Sequence, residues 1–167
     1  MVATLGSPQI LTDNHVLNDF DCGEPLLTDW LKRRALANQS SGASRTFVVV
    51  DNHQCVIGYY ALSAGAVAHR DSTGAVRRNM PDPIPVIVLG RLAVDRNAHG
   101  KQLGGALLRD AVSRALAVSE NAGARALLVH ALHEKAKAFY KHYGFEESPM
   151  DTMTLMLRLT GINGAVL

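Results

Sequence analysis

The stretch LGRLAVDRNAHGKQLGGALLRDAV, residues 89–112, runs from an apolar segment through a glycine-containing loop into an amphipathic one. A strand that enters a helix this way leaves several backbone N–H groups unpaired and aligned with the positive end of the helix dipole, which makes a ready anion site. The glycines are Gly100, Gly104 and Gly105. Their spacing fits neither the dinucleotide fingerprint G-x-G-x-x-G nor the P-loop G-x-x-x-x-G-K-[ST]. On this junction alone an anion site and a tight turn with close packing are evenly matched. Tyr140, in KAFYKHYGF, is the second residue of interest. A tyrosine late in an amphipathic helix ordinarily belongs to the core or its rim, with its hydroxyl bonded locally. Its phenol, with an ordinary pKa of about 10, is also a proton donor at neutral pH. Tyr143, beside Gly144 and Phe145, reads as helix-end packing. His130 and His133 lie three apart with Glu134 adjacent, too short a set for a metal without further ligands. Cys22 with a histidine could form a nucleophile pair, but in FDCGE it reads as packing. No metal site is expected.

These residues need elements to position them. Pro25, then Leu27, Trp30, Leu31 and Ala35 at helical spacing, then Ser-Ser-Gly, predict a helix of about 15 residues in CGEPLLTDWLKRRALANQSSG. RTFVVVD and CVIGYYALSAGAVAH predict an antiparallel hairpin. Residues 69–85, HRDSTGAVRRNMPDPIP, are punctuated by proline and glycine with few core candidates and read as a long loop. VIVLGRLAV is a strand of the kind buried on both faces, and the helix after it presents Leu103, Leu107, Ala111 and Val118. ARALLVHAL predicts a further strand, HEKAKAFYKHYGF a helix ending near Gly144, and DTMTLMLRLT a last, alternating strand. The tail after Thr160 reads as frayed. A hairpin followed by strand-helix-strand-helix-strand implies an α/β or α+β domain of three layers, a mixed sheet flanked by helices.

The chain has 167 residues, 47% hydrophobic and 19% charged, which suits one globular domain over residues 1–167. A formal net charge of +2 does not single out a nucleic-acid binder, although local basic clusters can still act. Cys22 and Cys55 are too few for a disulfide framework, and MVATLGSPQIL lacks the regions of a signal peptide. No apolar run reaches the roughly 18 to 20 residues that cross a bilayer. A soluble, cytoplasmic protein is expected, with no membrane partner.

VLGRLAVDRNAHGKQLGGALLRDA, followed some thirty residues later by VHALHEKAKAFYKHYGF, resembles motifs A and B of the GNAT superfamily of acetyl-CoA-dependent N-acetyltransferases. The resemblance spans roughly residues 86–146. FDCGEPLLTDWLKRRALANQ, RNMPDPIPVIVLGRLAVD and ALLVHAL are similar to the GNAT toxins of type II toxin–antitoxin modules, and these motifs together cover most of the chain. The resemblance implies the GNAT fold, with a mostly antiparallel sheet, and a coenzyme A site at Leu92, Ala93, Val94, His99, Gly100, Lys101, Gln102, Leu103, Gly104 and Gly105. It places Tyr140 beside the cofactor sulfur as the general acid that protonates the departing thiolate.

The superfamily loop R/Q-x-x-G-x-G/A falls on residues 99–104, where His99 replaces Arg or Gln and Gln102 replaces the first motif glycine. A backbone donor needs no particular side chain, so Gln102 offers its N–H if its φ/ψ is ordinary, whereas glycine adds closer approach and access to positive φ. The expectation is a retained but weakened site, with Gln102 turned outward and Gln102→Gly tightening acetyl-CoA binding.

VIVLGRLAV contains no carboxylate, so a strong general base is missing. Asp95, His99 and His130 are candidate bases that read more simply as turn or structural residues. A lysine amine of pKa about 10.4 is less than about 0.1% neutral at pH 7, whereas an α-amine near 7.7 to 8.0 is on the order of 10% neutral. A weak-base site therefore suits an α-amine, and the toxin resemblance names that of aminoacyl-tRNA, whose acetylation would stop translation. Such a substrate needs cations for its phosphates. The candidates are Lys32, Arg33 and Arg34, the pair Arg77 and Arg78 in the proline loop, and Arg91, Arg96 and Lys101, with Arg91 equally able to serve a salt bridge. The resemblance further implies a homodimer, a ribbon-helix-helix antitoxin as partner, and operator DNA reached only through that antitoxin. The alternatives are an acetyltransferase for small amines or protein N-termini, and a non-catalytic regulatory GNAT-like protein.

Overall fold

The computed structural model describes residues 6–159, so the tail after Thr160 lies outside the described residues. The strands among them are β1 (Gln9–Ile10), β2 (Arg45–Val50), β3 (Val56–Val67), β4 (Ile84–Val94), β5 (Ala126–His130), β6 (Glu146–Glu147) and β7 (Thr154–Arg158), in one sheet of order β1-β2-β3-β4-β5-β7-β6. β4 and β5 run parallel, while β1–β2, β2–β3, β5–β7 and β6–β7 are antiparallel. The sheet is therefore mixed and mostly antiparallel, as the hairpin and the strand-helix-strand run imply. The helices are α1 (Pro25–Arg33), α2 (Ala35–Ser41), α3 (Gly74–Arg77), α4 (Leu103–Ala122) and α5 (Glu134–His142). The residues group into two compact units, one up to Ser63 with Arg91–Ala111, the other Ala64–Gly90 with Val112 onward.

In the first unit the predicted hairpin forms, with Phe47 opposite Tyr60 and a bulge between Val49 and Val50. Leu11, Phe20, Leu31, Ala35, Val48, Val56, Tyr59 and Ala93 make its core. The single helix expected after Pro25 is instead two, broken at Arg34, whose φ is −122° and ψ −29°. The hydrogen-bond ladder almost survives the break, since Arg34 N–H donates to Trp30 and its carbonyl accepts from Asn38. What holds the second helix at its own angle is Gln39, whose Nε2 donates to the Leu11 carbonyl at 2.6 Å and whose Oε1 accepts from Thr46 N–H at 2.9 Å. Gly42, at φ +83°, then ends α2 where Ser-Ser-Gly predicts a stop.

In the second unit Val67, Val76, Ile84, Val86, Ala126, Leu128 and Met156 form the core. Residues 69–85 are not the core-poor loop expected from their composition. His69–Asp71 is a 3-10 turn, and α3 follows with the Thr73 hydroxyl accepting from Val76 N–H at its start. Val76 and Ile84 are fully buried. Arg125 ties α3 down from outside, Nε donating to the Val76 carbonyl and a terminal nitrogen to that of Ala75, each at 3.0 Å. One further correction concerns α4. Its buried stripe steps through Leu103, Leu107, Ala111 and Ala115, and Val118 falls off it to lie 37% exposed.

Candidate functional site

The junction between β4 and α4 is built by its own side chains. Asp95, buried at the end of β4, caps the 3-10 turn Arg96–Ala98: Oδ1 accepts from Asn97 N–H at 2.9 Å and Oδ2 from Asp21 N–H at 3.0 Å. Both oxygens being engaged by backbone donors, Asp95 organises the turn and is not placed as a free base. His99 Nε2 lies 2.7 Å from the Val94 carbonyl. A carbonyl only accepts, so Nε2 carries the proton and His99 clamps the ends of the loop together. The Arg96 guanidinium pairs with Asp21 at 3.4 Å.

Gln102 departs from the conformation expected of it. Its φ is +60°, beside Gly100 at +80°. The glutamine occupies the left-handed region that the motif glycine would supply, and its backbone is thus shaped as the glycine's would be. Leu103, Gly104 and Gly105 follow as the first turn of α4, whose N–H groups have no partner within the helix, and that turn carries no acidic residue. Gly58 of β3 makes room for this turn: a Cβ there would meet Leu107 at 3.0 Å and Leu103 at 3.2 Å. Sequence reading missed this glycine, which lies in an ordinary strand pattern. A non-glycine residue at such φ costs on the order of 1 kcal/mol. Gln102→Gly is therefore expected to raise the unfolding free energy by about 0.5 to 1 kcal/mol in urea titration. On the expectation that this loop holds coenzyme A, the left-handed backbone is already in place and acetyl-CoA affinity should change by less than about threefold. A tenfold tightening would mean that the side chain itself obstructs the loop.

Lys32 and Arg33 are exposed in the last turn of α1, where cations complement the helix dipole. Arg91 has its guanidinium carbon 4.8 Å from the centroid of the Trp30 ring. Trp30 in turn stacks on Tyr59 at 6.1 Å, and the Tyr59 hydroxyl donates to the Leu27 carbonyl. The guanidinium of Arg91 thus makes a cation–π contact in the first unit.

Tyr140 lies in α5, where His133 caps the helix by accepting from Ala136 N–H through Nδ1. Its ring packs against Phe139 and Phe145, with centroids at 5.1 and 5.5 Å. The residue is 5% exposed, and among the described residues nothing hydrogen-bonds its hydroxyl. Burial pushes the phenol well above its ordinary pKa, so it stays protonated at neutral pH. A buried tyrosine normally finds a partner for its oxygen. For Tyr140, burial is the only influence described on its phenol. Tyr143 ends the helix with its ring edge-on to Phe139 and His142, the packing role expected of it.

Arg77 and Arg78 are exposed at the end of α3, on a segment that Arg125 holds, and so stand on ordered backbone. His130 lies at the end of β5 with Nδ1 2.9 Å from the Thr154 hydroxyl. Cys22 is buried with Sγ 3.3 Å from the Thr28 hydroxyl, in the packing role read for it. Among the described residues no group of three or more His, Cys, Asp or Glu could hold a metal, and no helix is long and apolar enough to cross a membrane.

Residues 42–147 match the family described as acetyltransferase (GNAT) domain. The chain is 52% identical over 151 residues to the tRNA-acetylating toxin of Mycobacterium tuberculosis strain H37Rv, covering 90% of each. It is similar to AtaT solved in complex with acetyl-methionyl-tRNAfMet, with a TM-score of 0.84, 30% identity and coverage of 91% of this chain and 94% of that one. It is also similar to a tyrosine-to-phenylalanine mutant of the AtaT toxin bound to acetyl-CoA and the C-terminus of the antitoxin AtaR, with a TM-score of 0.77, 29% identity and coverage of 92% of each.

Proposed function

Since the chain belongs to the GNAT acetyltransferase family, we propose that it is a toxin that transfers acetyl from acetyl-CoA to the α-amino group of aminoacyl-tRNA and so blocks translation. The observation that carries this reading is the 52% identity to a tRNA-acetylating toxin over 90% of both chains. In it the loop from Leu92 to Gly105 takes the pantetheine and pyrophosphate, with His99 and Asp95 fixing the loop and the first turn of α4 supplying N–H groups to the phosphates. Tyr140 donates its proton to sulfur as the C–S bond breaks. Lys32, Arg33, Arg77, Arg78 and Arg91 hold tRNA phosphates. The enzyme acts as a single cytoplasmic domain and a homodimer, is neutralised by a ribbon-helix-helix antitoxin, and reaches operator DNA through that antitoxin.

The test is transfer of labelled acetyl from acetyl-CoA to a mixed pool of charged tRNA, run beside uncharged tRNA, small amines and peptide N-termini. Label confined to charged tRNA is the expected result. Label on small amines or peptides alone would replace the substrate, and acetyl-CoA binding with no transfer to any of them would replace the enzyme with a regulatory protein.

A further inference from the structure

The second unit holds a cavity of about 350 Å³ whose floor is Val67, Val88 and Leu128 and whose polar lining includes Asp71, His130 and Asp151. Its chemistry is set by a chain of hydrogen bonds. The Thr154 hydroxyl donates to Asp151 Oδ2 at 2.8 Å, which commits its one proton. Facing His130 Nδ1 at 2.9 Å, the same oxygen can then only accept, so Nδ1 carries the imidazole proton. Nε2 of a neutral His130 is left as a lone pair, with no described residue bonded to it. Asp151 is held ionised, first by its bond from Met153 N–H and then by the Thr154 hydroxyl. Among the residues that line the pocket, the charged and titratable groups besides His130 are Asp151 from the β6–β7 turn and Asp71 from the 3-10 turn. His133, three residues on, is committed to capping α5.

The geometry points to His130 as the proton acceptor for the amine, in a pocket that receives the aminoacyl end of the substrate. This inference rests on the reading of the protein as an acetylase of charged tRNA. The α-ammonium sits opposite two carboxylates, and its side chain meets Val67, Val88 and Leu128. Nε2 takes one ammonium proton and passes it to solvent, which reaches the exposed imidazole. The freed nitrogen lone pair forms the N–C bond to the acetyl carbon, and the C–S bond breaks with its electron pair left on sulfur. The proton from Tyr140 goes to that sulfur, and the surplus proton on the new amide nitrogen leaves through Nε2 to restore the phenol by way of solvent. The net products are the amide, the free thiol and one proton. A weak base is enough here, because an α-amine is already on the order of 10% neutral at pH 7. Thr154 and Asp151 are positioning residues that fix the tautomer and orientation of the imidazole.

The experiment measures acetyl transfer to charged tRNA at pH 7.0 and 8.5 for the wild type, His130→Ala, Thr154→Val, Thr154→Ser and Asp151→Asn, with acetyl-CoA binding and melting temperature as fold controls. His130→Ala is expected to lose about tenfold in kcat/KM at pH 7.0 and no more than about threefold at pH 8.5, where the amine is largely neutral unaided. Added imidazole should restore part of the loss at pH 7.0. Thr154→Val and Asp151→Asn should show smaller losses with the same pH dependence, and Thr154→Ser should stay close to wild type. Equal losses at both pH values, or activity within twofold of wild type at both, would overturn the role of His130. Wild-type protein that acetylates no charged tRNA would overturn the parent reading instead, a result separable from these by the control alone.

Discussion

Tyr140→Phe should lower kcat for acetyl transfer by about 10²- to 10⁴-fold while leaving the melting temperature within about 1 °C of wild type. The two halves of this expectation have separate causes. Phenylalanine keeps the ring between Phe139 and Phe145, so the packing at 5.1 and 5.5 Å is retained. The hydroxyl it removes has no partner among the described residues, so no donor or acceptor is orphaned. What disappears, on the proposed mechanism, is the proton given to the departing thiolate. Binding of acetyl-CoA and the KM for charged tRNA should change little, because the interaction is made as the C–S bond breaks. The raised pKa adds a constraint of definite sign: a phenol held above its ordinary value stays protonated, so no loss of rate between pH 7 and 9 should trace to Tyr140. Calorimetry and single-turnover transfer on the same preparation separate the outcomes. A parallel loss of stability and activity would make Tyr140 a packing residue, and unchanged turnover would move the proton elsewhere.

The parts of this molecule that were legible in the sequence are those with a period. RTFVVVD and CVIGYYALSAGAVAH announced the hairpin by alternation and β-branching, and the strand-loop-helix junction announced itself through Gly100 and the apolar spacing after it. Two-residue strands such as Gln9–Ile10 and Glu146–Glu147 carry no period at all. Val76 went unseen because one apolar residue in a polar, proline-rich stretch has no neighbour to repeat with. The break at Arg34 was hidden for the opposite reason, since apolar spacing and backbone bonding continue through it and the cause is a distant clamp by Gln39. At the site, residue types were readable and states were not. Nothing in the letter Gln tells that residue 102 sits at φ +60°. Likewise His99 and His130 look alike in the sequence, yet one spends its Nε2 proton on the Val94 carbonyl and the other keeps Nε2 open.

Replacing Arg77 and Arg78 together by alanine should weaken binding of charged tRNA on the order of 100-fold at low salt and leave acetyl-CoA binding untouched. A hydrogen bond to a charged group contributes about 1.5 kcal/mol at the low end of its range, which suits exposed side chains, so two phosphate contacts account for roughly two powers of ten. The salt dependence is the sharper test. Each phosphate contact steepens the plot of log K against log salt by about 0.7 to 0.9, so the double variant should be shallower by about 1.4 to 1.8. Both side chains are exposed at the end of α3, so their loss should not unfold the protein. Their backbone is fixed by Arg125, whose bonds to the Ala75 and Val76 carbonyls hold α3 in place. Two like charges on adjacent residues repel and gain nothing for folding from standing together, so on the proposed reading an anionic partner offsets that repulsion. A weaker affinity with an unchanged slope would mean that the substitutions disturb α3 and not a phosphate contact. An unchanged affinity would take the pair off the tRNA surface and leave Lys32, Arg33 and Arg91 to hold the phosphates from the first unit.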